Sequence, residues 1–162
     1  MKIEAKIRKF KAEDINKILE IEKQAFPKTV FSKVTFLNYA DNFPDTFIVV
    51  ESNKNIVGYI IFDLTGHIHS TAVKQSYRRK GFGKMLFMHA LRCAKKGLWL
   101  EVRSRNRGAI EFYKRLGMKI VGKIPKYYRD DDALIMRLGN SIPPRAGKTN
   151  NLLARCLCNV RV

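Results

Sequence analysis

A single mixed α/β domain of about seven strands and four helices is predicted by this sequence on three observations. Apolar residues alternate in short runs and recur every three to four positions in longer ones, in the order β-α-α-β-β-β-α-β-α-β-β. The helical stretches stop at proline or glycine. A length of 162 residues with 46% apolar composition suits one core rather than two.

Residues 2–10 alternate, with Ile3, Ala5 and Ile7 on one side, and read as a strand. Residues 12–26 carry Ile15, Ile18, Leu19, Glu22 and Ala25 at helical spacing, and Pro27 ends that helix. Ser32 is placed to cap a short second helix holding Phe36, Leu37 and Tyr39. Two β-rich runs, 46–51 and 56–62, flank the turn-forming Ser52-Asn53-Lys54-Asn55 and predict a hairpin. A further strand is expected at 67–73, then a basic loop at 75–83. An amphipathic helix follows at 84–96, with Leu86, Ala90, Cys93 and Ala94 on its inner stripe and Gly97 as its stop. Residues 98–103 read as a strand and 106–116 as a helix closed by Gly117; strands at 119–124 and 132–138 complete the domain. The domain therefore spans 1–138. Residues 139–162 contain Pro143-Pro144, Gly147, Asn150-Asn151 and four basic but no acidic side chains, and read as a flexible basic tail.

Lysine and arginine number 32 against 14 acidic residues, a net charge of +18. Such a surface favours anionic partners: a phosphorylated cofactor, ribosomal RNA or acidic peptide segments. Three cysteines, with only Cys156 and Cys158 close together, give no disulfide framework and no paired zinc spacing. Met1 to Lys6 is charged, and no run approaches the ~20 apolar residues of a membrane span. A soluble, cytoplasmic protein without membrane contact is expected.

The most informative stretch is Val73-Lys74-Gln75-Ser76-Tyr77-Arg78-Arg79-Lys80-Gly81-Phe82-Gly83-Lys84. A strand feeds a glycine turn that opens a helix, so free backbone amides and the positive end of the helix dipole converge on one point. Arg78, Arg79, Lys80 and Lys84 add charge suited to a diphosphate. It is not a nucleoside-triphosphate loop, because Met85 follows Lys84 where a magnesium-binding hydroxyl would stand, and its glycines do not fit a dinucleotide fingerprint.

This arrangement resembles the signature of the GNAT N-acetyltransferase superfamily: a strand, then Arg/Gln-x-x-Gly-x-Gly/Ala at a helix start, here Arg78-Arg79-Lys80-Gly81-Phe82-Gly83. Several later blocks are similar to the RimI-like N-terminal acetyltransferases. They are Leu98-Trp99-Leu100-Glu101-Val102-Arg103-Ser104-Arg105-Asn106, Ala109-Ile110-Glu111-Phe112-Tyr113, Leu116-Gly117-Met118, Lys126-Tyr127-Tyr128 and Asp132-Ala133-Leu134. Gly66-His67-Ile68-His69-Ser70-Thr71-Ala72-Val73 resembles the catalytic strand of archaeal and eukaryotic relatives that modify nascent chains. The likeness covers residues 3 to 138. It implies the GNAT fold, with a mixed, mostly antiparallel sheet, and acetyl-CoA as co-substrate. By the same resemblance the substrate is the α-amine of a ribosomal protein or nascent chain; the basic surface adds an expectation of contact with the ribosome, and a monomer or weak dimer is expected. Two other readings are a small-amine or lysine acetyltransferase on this fold, and an RNA-associated binding protein without turnover.

The resemblance also assigns roles. The backbone of Ala72, Val73 and Lys74 would hold the pantetheine arm, and the amides of residues 79–84, with Phe82 among them, the diphosphate. Glu101 would be the base. An outward-facing glutamate is the alternative in an alternating strand. Tyr113 would return a proton to the departing thiolate, although an aromatic at that position also serves as core. His67 would assist Glu101 through water. His67 and His69 share a strand face, but His89 is the sole further histidine and sits on a helix, so no metal is expected. Asn106 reads both as a helix cap and as a contact to the coenzyme A arm. Phe26, Pro27 and Phe31, with Tyr127 and Tyr128, would bracket the incoming peptide, with Phe26 and Phe31 equally readable as core anchors. Lys28, beside that slot, points to acidic residues near the substrate's N-terminus.

Overall fold

The computed structural model describes residues 4–143 and, as backbone alone, 159–161. Its elements in chain order are β1 (Ala5–Lys9), α1 (Ile15–Ala25), α2 (Lys33–Asn42), β2 (Phe47–Ser52), β3 (Asn55–Phe62) and β4 (Ile68–Val73). There follow α3 (Phe82–Ala94), β5 (Gly97–Arg103), α4 (Arg107–Arg115), β6 (Lys119–Tyr128), β7 (Asp131–Gly139) and β8 (Asn159–Arg161). Seven strands and four helices thus stand where the sequence puts them. Ser32 caps α2 by accepting a hydrogen bond from the Thr35 amide at 3.1 Å, and Asn106 caps α4 through the Ala109 amide at 3.3 Å. The helix expected from residue 84 starts two residues earlier, because Gly81 in left-handed conformation serves as its N-cap.

β1 to β4 form an antiparallel meander. Its central strands are apolar on both faces because both are covered. Ile48, Val50 and Ile60 pack with Phe82, Leu86 and Ala90 of α3, whereas Phe47, Val49 and Tyr59 pack with Ile18, Ile21 and Phe36 of α1 and α2. β5, β7 and β6 form a second antiparallel sheet. The strands are therefore divided between two sheets rather than laid out in one. Strand pairing is set by long-range packing that periodicity does not reveal.

The sheets join at one point. His67 bridges to Trp99 in parallel sense, and the Trp99 amide donates to the Gly66 carbonyl at 2.8 Å. That approach requires glycine: a Cβ on Gly66 would lie 2.2 Å from the Gly97 carbonyl oxygen, and one on Gly97 2.0 Å from that of Leu138. Past the bridge, β4 and β5 belong to different sheets, and β8 runs parallel along the outer edge of β4, with Ser70, Thr71 and Ala72 opposite Asn159, Val160 and Arg161. Of the segment read as a tail, residues 144–158 and 162 lie outside the described residues, Cys156 and Cys158 among them. Its described part continues β7 to Gly139 and supplies β8.

Candidate active site

β5 alternates strictly. Leu98, Leu100 and Val102 enter the main core, so Trp99, Glu101 and Arg103 face the opposite side, toward the sheet junction. Glu101 is 5% exposed, which rules out the outward-facing alternative. Its Oε2 lies 2.8 Å from Nε2 of His67, whose ring stacks on Trp99 at 3.8 Å between centroids and 4° between planes. A buried carboxylate is costly unless partnered, and here the histidine that the sequence pairs with it is its partner. The His67 amide donates to Oδ1 of Asp63 at 3.3 Å, which orients the start of β4.

Asp63 was not among the residues singled out from the sequence. It sits in the turn before β4 and accepts from Thr65 and, at 3.0 Å, interacts with Nε2 of His69. Burial works to raise its pKa, but the hydrogen bonds from His69 and Thr65 outweigh that and hold it at about 2. Burial above all lowers the pKa of His69, against the opposing hydrogen bond with Asp63. Asp63, His67 and His69 each bring a ligand atom within 4.8 Å of the others. The histidine count that argues against a metal leaves out this aspartate, whose signal in the sequence is its position four residues before His67. In this structure His67 and His69 are engaged by Glu101 and Asp63, respectively.

The glycine turn has the backbone a phosphate cradle needs. Arg79 and Gly81 adopt positive φ, +60° and +88°, and a Cβ built on Gly81 would meet nothing within 4 Å, so the turn opens onto free space at the start of α3. The basic side chains divide. Arg78 folds back, its Nε donating to the Val73 carbonyl at 3.0 Å; Lys74 pairs with Glu20 at 2.9 Å; Lys80 lies over the Tyr77 ring. Lys84 lines a small cleft with Gly81, Met85 and Ile7. Because the Lys74 amide bonds inward to Val57, period-two alternation turns the polar groups of Thr71 and Val73, rather than those of Ala72, to the outer edge of β4.

A cavity of about 910 Å³ opens beside β5, walled by residues 25–29, 103, 105–108 and 129–131. Phe26 and Pro27 belong to this wall. Phe31 does not: it is a core anchor, packed edge-on against Phe36. Tyr127 and Tyr128 stand beside the wall on the β6–β7 hairpin, with the Arg103 guanidinium 4.1 Å over the Tyr128 ring. Tyr113 is 1% exposed, against Phe87 and Phe112.

A model of the Acetyltransferase (GNAT) family matches residues 15–118. The chain belongs to the GNAT acetyltransferase family. It is 30% identical over 154 residues to an N-alpha-acetyltransferase of Sulfurisphaera tokodaii, covering 82% of this chain and 92% of that protein. It is 33% identical over 146 residues to a putative ribosomal protein bS18-alanine N-acetyltransferase of Bacillus subtilis, covering 84% and 96%. The crystal structure of Ard1 from Thermoplasma volcanium superposes with a TM-score of 0.77 at 28% identity, over 83% of this chain and 97% of that one.

One buried group of this GNAT chain has a role that its helical spacing does not disclose. Glu22, on the inner stripe of α1, is fully buried; Oε1 accepts from the Phe31 amide at 3.1 Å and Oε2 from the Tyr59 hydroxyl at 2.6 Å, which in turn lies 3.0 Å from Ser70 Oγ. Glu22 thereby ties the α1–α2 connection to β4. Its charge was the available signal, set among Ile18, Leu19 and Ala25. Burial raises its pKa to about 7, despite the two hydrogen bonds that lower it. In the unfolded chain it ionises near 4.3, so the folded state holds the extra proton between those values and stability falls as pH rises through them. Replacing Glu22 with Gln should remove on the order of 2–3 kcal/mol of this pH dependence. Urea unfolding of both proteins at pH 5 and pH 7.5 measures it.

Proposed function

We propose that this chain transfers the acetyl group of acetyl-CoA to the α-amine of protein N-termini, ribosomal proteins or nascent chains among them. The observation that carries this reading is the buried Glu101–His67 pair at the sheet junction; a glycine turn suited to diphosphate and a cavity that meets β5 at Arg103 support it. The names of its relatives support the same substrate class.

The residues divide the work as follows. Amides at residues 81–84 and the dipole of α3 hold the diphosphate, and the outer edge of β4 aligns the pantetheine arm. Asn106 contacts that arm from the start of α4. Glu101 takes a proton from the substrate ammonium, directly or through one water, with His67 hydrogen-bonded to its other flank. An α-amine, with a pKa of ~7.7–8.0, yields that proton far more readily than lysine at ~10.4. The neutral amine forms the new N–C bond at the thioester carbon, and the Val73 amide steadies the oxyanion. The C–S bond then breaks, and Tyr113 supplies the proton that makes the leaving group a thiol. The second proton shed by the new amide nitrogen passes through solvent to restore the Tyr113 hydroxyl. Phe26 and Pro27 flank the entering peptide, and the hairpin carrying Tyr127 and Tyr128 closes the other side. The net charge of +18 supports docking on ribosomal RNA.

Mass spectrometry of peptides with free or blocked N-termini, each with an internal lysine, tests the reading. Acetyl should appear only on free α-amines; modification that survives the block would overturn it. Two further results are expected. Tyr113→Phe should slow turnover about 10²-fold with peptide KM little changed, as steady-state kinetics would show. Removing residues 144–162 frees the β4 edge that β8 shares with the cofactor arm, and should lower the KM for acetyl-CoA by about threefold or more.

A further inference from the structure

The cavity at the end of β5 has an uneven charge. Lys28, Arg103, Arg105, Arg107 and Arg129 line it against Asp130 and Asp131. Both acids are already committed: Asp130 holds Arg103 at 2.5 Å, while Asp131 accepts from Ser104 Oγ at 2.5 Å and from the Arg105 amide at 3.1 Å. Lys28, Arg107 and Arg129 are exposed and have no carboxylate partner among the described residues. The buried Glu101 is not part of this lining, which reaches β5 at Arg103. Arg103 is two residues beyond Glu101 on the same strand face, ~7 Å along β5, which is also the reach of two extended peptide residues.

We infer that this cavity selects N-termini with Asp or Glu at their second and third positions, an inference that rests on the reading of the chain as an N-terminal acetyltransferase. A peptide entering amine-first brings its positive end to Glu101, and its next side chains come level with the three cations at the mouth. An acidic N-terminus has the polarity complementary to this gradient, and a lysine there meets like charge. A polyanion such as RNA would be drawn to cations anywhere on this basic surface. Among the described residues, these three line the cavity that meets the strand carrying the proposed base.

The test compares kcat/KM for peptides that differ only at positions two and three: Asp or Glu, Ala, or Lys. The native protein should favour acidic over lysine peptides by about tenfold or more, a preference that shrinks as salt is added. A Lys28→Glu, Arg129→Glu double variant, changed only on exposed loops, should abolish or invert it while leaving the KM for acetyl-CoA unchanged. Equal kcat/KM across the panel, or a preference that survives in the double variant, would overturn the inference. So would inhibition of all peptides alike by a short RNA whose binding the variant loses, since that assigns the cations to a polyanion. If no free N-terminus is acetylated at all, the underlying reading fails, a result distinct from acetylation without preference.

Discussion

Glu101→Gln is expected to lower turnover by about 10²–10⁴-fold while leaving acetyl-CoA affinity intact. The amide fills the volume of the carboxylate and can still meet Nε2 of His67, now 2.8 Å from Oε2, so the fold has little reason to change. What disappears is the acceptor for the ammonium proton. At pH 7 only about a tenth of an α-amine with a pKa near 8 is neutral, whereas at pH 9 about nine-tenths is. The defect should therefore be largest at low pH and shrink as pH rises through ~8, since solvent then does the work of the missing base. Rate profiles of both proteins from pH 6 to pH 9 measure this. A defect of constant size across that range would move Glu101 from proton transfer to a purely structural role.

Gly81→Asp should reduce acetyl-CoA affinity by about 10²-fold or more, an effect of similar size with a different origin. Gly81 is in left-handed conformation at the N-cap of α3, and open space surrounds its Cα. Aspartate tolerates that conformation better than most residues, at a cost of about 1 kcal/mol, and is a favoured helix cap. The variant should therefore fold. Its carboxylate, however, would satisfy the amides proposed to hold the diphosphate and place negative charge against it. Gly81→Asn has the same shape without the charge and should bind far better than the aspartate variant. Calorimetric titration with coenzyme A separates the two, and equal affinities would locate the diphosphate elsewhere.

Much of this architecture was legible in the sequence because it is written locally. The strand at 98–103, the Ser32 and Asn106 caps and the glycine turn each depend on a few adjacent residues, and each stands where expected. Glu101 and His67 were legible as types of residue, but their contact joins positions 34 apart. What was not legible is non-local. The split into two sheets rests on the Gly66–Gly97 approach. β8 pairs by backbone within a stretch whose prolines and glycines read as unstructured. Glu22 was counted as one more residue at helical spacing, because periodicity does not say which buried carboxylate has a tyrosine and an amide waiting for it. Asp63 lies between the predicted strands, where periodicity carries no signal, yet it bonds the amide of one histidine and the ring of the other.

The most direct test of the proposed chemistry is a crystal structure with a bisubstrate analogue, coenzyme A joined through an acetyl bridge to the α-nitrogen of an acidic tripeptide. The diphosphate should rest on the amides of residues 81–84, and the bridged nitrogen should lie within hydrogen-bond or one-water reach of the Glu101 carboxylate. A diphosphate bound away from α3, or a peptide nitrogen separated from Glu101 by the wall of β5, would contradict it.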